Sequence, residues 1–175
     1  RGSADALTMK VIIIEDEIPA AEKLSRYLVK YDASIQVAAH LTSVKDAVSW
    51  LQEKQESIDL IFMDIQLTDG LSFQIFQQVM IKKPVIFITA FNEFALDAFK
   101  VNSIDYLLKP ITFSDLSASL KKLENLREQL QWNSQKTEQL QEVFVTPKTA
   151  AYKNRFMVKL GDHIRSITSD QIALF

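Results

Sequence analysis

The sequence predicts a doubly wound α/β fold: a five-stranded parallel sheet in the order 2-1-3-4-5, helices on both faces, and a C-terminal extension. Three observations carry this expectation. From Met9 onward, short apolar runs alternate with stretches of helical period. Most of the runs are rich in β-branched or aromatic residues. Several stop abruptly at a carboxylate, hydroxyl or ammonium residue, as a strand buried on both faces does where the chain meets solvent.

The first strand is "KVIII", residues 10–14. Pro19 follows where a first helical turn tolerates a missing N–H, and Leu24 and Leu28 then share one helix face. "IQVAA", residues 35–39, is the second strand, and Ser43 is placed to cap a helix carrying Val44, Ala47, Val48 and Leu51. "DLIFM", residues 59–63, is the third strand and stops at Asp64; Phe73, Phe76 and Met80 then form the stripe of a third helix. "VIFIT", residues 85–89, is the fourth strand, followed by Phe94, Ala95, Ala98 and Phe99 on a fourth helix. "DYLL", residues 105–108, is the fifth strand. Ser114 is read as the cap of a fifth helix carrying Leu116, Leu120, Leu123, Leu126 and Leu130. This helix runs on into the polar "QWNSQKTEQLQEV", a linker or a modest coiled-coil contact.

Residues 1–8, "RGSADALT", read as an expression scar before a natural start at Met9, because they lack the charged and apolar regions of a signal peptide. Residues 9–126 form the main domain, and residues 127–150 a helical extension and linker that runs into the stretch "TPKTAAYKN". "RFMVKL" and "IRSIT" around the turn "GDH" read as a β-hairpin, too small to stand alone. Residues 151–175 are therefore expected to be the truncated start of a second domain.

At 175 residues the chain has room for one domain and part of another. No stretch approaches the roughly 20 uninterrupted apolar residues of a membrane helix, so no membrane partner is expected. The absence of cysteine excludes disulfides and thiolate metal sites, and two scattered histidines, His40 and His163, argue against a histidine-built one. A reducing cytoplasm fits. A net charge of −2 supplies no basic field to hold a phosphate backbone, so these residues have no electrostatic support for binding nucleic acid.

Doubly wound sheets bind ligands beyond the carboxyl ends of their strands. There the first strand leads into Glu15, Asp16 and Glu17, the third into Asp64, the fourth ends in Thr89 and the fifth leads into Lys109 and Pro110. Strands one and three are neighbours in the expected order, so Glu15, Asp16 and Asp64 would share one pocket. Three carboxylates repel unless a cation neutralises them, and Mg²⁺ suits such a site because it prefers oxygen ligands and completes its shell with water and phosphate oxygens. Asp16 and Asp64 would coordinate directly, Glu15 through water or at longer range, and the carbonyl of Gln66 would supply a backbone ligand. Asp64 would then attack a phosphoryl group as an oxygen nucleophile, with Lys109 stabilising the transferring oxygens and Thr89 offering a hydroxyl. Pro110 would aim Lys109 through a cis bond. Taken singly, each residue has an ordinary reading as a turn, a cap or a solvated charge. Their coincidence at one sheet edge favours the joint reading.

The stretch from Met9 to about Leu126 resembles the receiver domain of two-component response regulators. The resemblance rests on "IIIEDE", "IFMDIQLTDG", "VIFITAF" and "AFKVNSIDYLLKPI". It implies the flavodoxin-like (CheY-like) fold, with Asp64 as phosphoacceptor, Glu15 and Asp16 as the acid pair holding Mg²⁺, Thr89 and Lys109 as the phosphoryl-sensing pair, and Tyr106 as an aromatic switch. Glu15 stands where aspartate is more frequent in the family. "TAFNEFALDAFKVNSIDYLLKPI" is most similar to receivers joined to LytTR-type (LytR/AlgR-like) DNA-binding domains, and "RFMVKLGDHIRSITSDQIALF" is similar to the opening strands of that domain. The resemblance implies a sensor histidine kinase as partner, a homodimer on activation and DNA contact only through the LytTR part. The expected output face is built from the fourth helix, fifth strand and fifth helix.

Two other classes compete. A phosphohydrolase with an aspartyl-phosphate intermediate commonly needs a second acid two residues beyond its nucleophile, and Gln66 stands there. A flavodoxin-like cofactor carrier would need a glycine- or hydroxyl-bearing phosphate loop, and "EDEIPA" supplies neither; a phosphate-independent interaction module is its remaining variant.

Overall fold

The computed structural model describes residues 8–93, 95–101, 103–143, 155–160 and 163–168. The expectations for residues 1–7, Phe94, the side chain of Phe99, the stretch 146–154 and the turn residues Gly161 and Asp162 lie outside what is described.

Strand β1 (Lys10–Ile14) leads to helix α1 (Ile18–Tyr31), β2 (Gln36–Leu41) and α2 (Val44–Lys54). Then come β3 (Leu60–Met63), the two-residue strands β4 (Gln66–Leu67) and β5 (Gly70–Leu71), and α3 (Phe73–Gln78). Strand β6 (Val85–Thr89), α4 (Ala95–Lys100), β7 (Asp105–Leu108) and α5 (Phe113–Val143) follow. The sheet order is β2-β1-β3-β6-β7, all parallel, which is the predicted 2-1-3-4-5 once the β4–β5 hairpin is set aside.

Strand alternation sends side chains to two separate cores. Ile12, Ile14, Ile61, Met63 and Phe87 pack with Val44, Ala47, Val48 and Leu51 of α2, Ile75 of α3 and Ala98 of α4. Val11, Ile13, Phe62 and Ile86 pack with Ala21, Leu24 and Leu28 of α1 and Leu116, Leu120 and Leu123 of α5. The central strands β1, β3 and β6 are therefore apolar almost throughout.

Local details depart from the sequence expectations in two places. Met80 is 79% exposed, because α3 ends at Gln78 and Ile75 takes the fully buried position. The start of α5 is organised by Thr112 rather than Ser114. Thr112 Oγ1 accepts from Asp115 N at 3.1 Å, and Asp115 Oδ2 accepts from the Thr112 hydroxyl at 2.7 Å and from Thr112 N at 3.3 Å, a reciprocal capping pair. Along α5, Leu116, Leu120 and Leu123 are buried, whereas Leu126 and Leu130 are exposed. Ser43 caps α2 as expected, its side chain accepting from Asp46 N.

The chain divides into two units, Arg1–Gln131 and Trp132–Phe175. Within the second, β8 (Arg155–Leu160) and β9 (His163–Thr168) pair antiparallel in a hairpin.

Candidate functional site

Ile14 pairs with Met63 in the β1–β3 ladder, so the next residue on each strand, Glu15 and Asp64, emerges at the same edge. Asp64 N donates to the Ile14 carbonyl at 2.8 Å, extending the pairing by one step. One carboxylate oxygen from each of Glu15, Asp16 and Asp64 lies within 4.8 Å of the others. Glu15 and Asp64 are buried, while Asp16 is partly exposed.

Lys109 enters from the end of β7, with its amide bonded to the Thr89 carbonyl at 2.8 Å. Its ammonium lies 2.8 Å from Glu15 Oε2, 2.8 Å from Asp64 Oδ2 and 3.5 Å from Glu17 Oε2. The Lys109–Pro110 peptide is cis. Burial pushes the Glu15 carboxyl up to about 7, against the pull of the Lys109 ammonium. Burial alone would lower Lys109, but its hydrogen bonds to Asp64 and Glu15 outweigh that and hold it above the usual lysine range.

Two buried oxygens here have no hydrogen-bond partner, Asp64 Oδ1 and Thr89 Oγ1. An unpartnered buried acceptor on a carboxylate, beside two further carboxylates, suits a hard cation that takes oxygen ligands, so the residues present fit Mg²⁺. Gln66 is exposed two residues beyond Asp64, at the start of β4. Tyr106 is half-buried on β7, its ring 6.5 Å from that of Phe87 and its hydroxyl donating to the Phe91 carbonyl.

Other contacts at this edge were not signalled by the sequence. Asp69 accepts from Val44 N at 2.7 Å and Lys45 N at 3.0 Å, so it caps α2 from 25 residues away. These backbone donors outweigh the opposing effect of burial and lower its pKa. Asp69 also precedes Gly70, whose φ of +145° is a conformation that disfavours any side chain. An apolar cavity of about 350 Å³ opens beside the acids, walled in part by Ile13, Leu24, Phe62 and Ile111.

Fold and site together define a class: a doubly wound α/β domain with an acidic, lysine-bridged pocket at the carboxyl edge of its sheet. The chain belongs to the response regulator receiver domain family, whose model matches residues 11–121. It is 37% identical over 129 residues to the transcriptional regulatory protein YpdB of Escherichia coli, covering 72% of this chain and 52% of that protein. It is 32% identical over 123 residues to the sensory transduction protein LytT of Bacillus cereus, covering 69% of this chain and 49% of that one. The chain thus spans about half the length of these relatives. Among solved structures, the response regulatory domain of MrkE from Klebsiella pneumoniae superposes with a TM-score of 0.60 at 35% identity, covering 69% of this chain and 99% of that one. The flavodoxin-like fold and the receiver resemblance read from the sequence are both borne out. Among the described residues, no helix is long and apolar enough to cross a membrane.

Proposed function

We propose that Asp64 is the phosphoacceptor of a two-component response regulator. It receives a phosphoryl group from a sensor histidine kinase, or from a small phosphodonor, in an Mg²⁺-dependent reaction. The observation that carries this reading is the divided environment of Asp64: Oδ2 is held by Lys109, whereas Oδ1 is buried without a partner beside two other carboxylates.

Asp16, Asp64 and the Gln66 carbonyl would hold the cation, with Glu15 acting through water. When bound, Mg²⁺ supplies positive charge to the phosphoryl oxygens. An Asp64 oxygen attacks phosphorus, the bond to the donor breaks, and the donor atom leaves with the electron pair. The Lys109 ammonium balances negative charge on the transferring oxygens. Thr89 then gains the partner it lacks, by donating its hydroxyl hydrogen to a phosphoryl oxygen, and Tyr106 turns inward into the space that Thr89 vacates. The surface of α4, β7 and α5 carries the change to a homodimer contact.

The domain acts as a phosphoacceptor switch rather than as an enzyme on free substrates. In the whole protein the output is DNA binding through a LytTR-type domain, of which residues 151–175 are the start. The relatives' names, a transcriptional regulator and a sensory transduction protein, support a signalling role, which would be exercised in the cytoplasm. The test is exposure to a small acyl phosphate with Mg²⁺, followed by intact mass. One phosphoryl group per chain, lost in Asp64→Asn with the fold retained, is expected. Continuous turnover of a phosphate ester would favour the hydrolase instead, and labelling that persists in Asp64→Asn would refute the assignment.

A further inference from the structure

We infer that His40 is a positioning residue for the acidic loop, acting through the peptide that joins Glu15 to Asp16; this rests on the reading of the pocket as a cation site. His40 Nε2 lies 2.7 Å from the Glu15 carbonyl oxygen. A carbonyl offers only lone pairs, so the imidazole N–H is the donor. The amide of Glu15 donates to the Leu41 carbonyl at 2.9 Å. Both main-chain polar groups of Glu15 are therefore held by consecutive residues at the end of β2, one through backbone and one through the imidazole.

The Glu15 carbonyl belongs to the rigid plane it shares with the Asp16 nitrogen. Fixing that plane sets the directions in which the Glu15 and Asp16 side chains leave the chain just beyond the last residue of β1. Carboxylates gathered this closely repel one another, and Lys109 offsets that charge at the side chains without holding the backbone of the loop. A second local bond, Glu17 N to Glu15 Oε1 at 3.0 Å, occupies an oxygen of the acid cluster itself. His40 restrains the loop without occupying any carboxylate.

The corner that carries His40 is itself anchored. Asp69 binds the amides of Val44 and Lys45, and Thr68 Oγ1 reaches the Thr42 carbonyl at 3.4 Å. Thr68 and Asp69 belong to the segment that follows Asp64. The β2–α2 corner thus links the two loops that deliver the carboxylates, and His40 is its side-chain contact with the first.

The test is calorimetric titration of Mg²⁺ into the unphosphorylated full chain, comparing the parent with His40→Leu and His40→Gln, with thermal unfolding in EDTA as a fold control. His40 is exposed, so neither replacement opens a core cavity. His40→Leu is expected to weaken Mg²⁺ binding about tenfold, the scale of lost support behind a metal ligand, with little change of Tm in EDTA. His40→Gln, whose amide also donates, is expected to recover most of the affinity. Leu binding as tightly as the parent, or Gln as weakly as Leu, overturns the inference and leaves the cation reading standing. A parent that takes up no Mg²⁺ overturns both.

Discussion

The Lys109 ammonium lies 2.8 Å from Oδ2 of Asp64, while Oδ1 of the same carboxylate is buried without a partner. One oxygen is thus neutralised by a lysine and the other is left unpaired. The same ammonium reaches Glu15, so a single charge holds acids from two neighbouring strands.

Removing that charge should expose the repulsion it balances. Lys109→Met is expected to lose about 3 kcal/mol of stability in EDTA, the scale of breaking a buried ion pair from one side. Added Mg²⁺ should recover more stability in this variant than in the parent. Urea unfolding with and without Mg²⁺ checks both; a variant as stable as the parent in EDTA would show that Lys109 is not the balancing charge.

The Glu15 carboxyl predicts a pH dependence. Its folded pKa, pushed up to about 7 chiefly by burial, exceeds the ordinary 4.5, so the folded form holds the proton more tightly. The associated stability is fully present below the unfolded pKa and lost as pH rises through the folded one. In EDTA, the parent should therefore lose stability relative to Glu15→Gln as pH rises from 4.5 to 7. The difference should be no more than about 3 kcal/mol, at 1.36 kcal/mol per pKa unit. A parent-to-variant difference that stays flat over that interval would contradict the raised pKa.

Thr89 Oγ1 is buried without a partner, so Thr89→Val should not lower stability in the unphosphorylated state and should raise it by up to about 1 kcal/mol. Phosphoryl labelling of Asp64 should persist in this variant, while the near-UV circular dichroism change tied to Tyr106 should shrink. An undiminished change would remove Thr89 from the switch.

At the start of α5, Thr112→Ala should cost about 1 kcal/mol, whereas Ser114→Ala should be close to neutral. Denaturation midpoints of the two variants give the comparison, and the reverse order would restore Ser114 as the cap.

That last contrast marks where sequence reading stops. The central strands were legible because they are covered on both faces and must be apolar throughout, and Glu15, Asp64, Thr89 and Lys109 stood out because apolar runs ended at them, whereas Tyr106, inside its strand, entered only through the family resemblance. In "ITFSDL", Thr112, Ser114 and Asp115 all have capping chemistry, and only the backbone path selects the Thr112–Asp115 pair. The exposure of Met80 was hidden because α3 stops before the next turn of its stripe. The contacts of Asp69 with α2 and of His40 with Glu15 each span 25 residues, and no local pattern announces them. Lys109 was placed at the right edge, but its simultaneous grip on Glu15 depends on how far each side chain reaches.

The β1–β3 register has a consequence for how this protein can vary. Because Glu15 and Asp64 are the first residues beyond the Ile14–Met63 pair, a slip of one position would carry one acid away from the other and turn its neighbours to the opposite core. The geometry of the acidic pocket is thus inherited from main-chain alignment. Substitutions deep in either strand that touch neither acid can pull the acidic pocket apart by letting that alignment drift, and apolar exchanges that keep it can accumulate unnoticed.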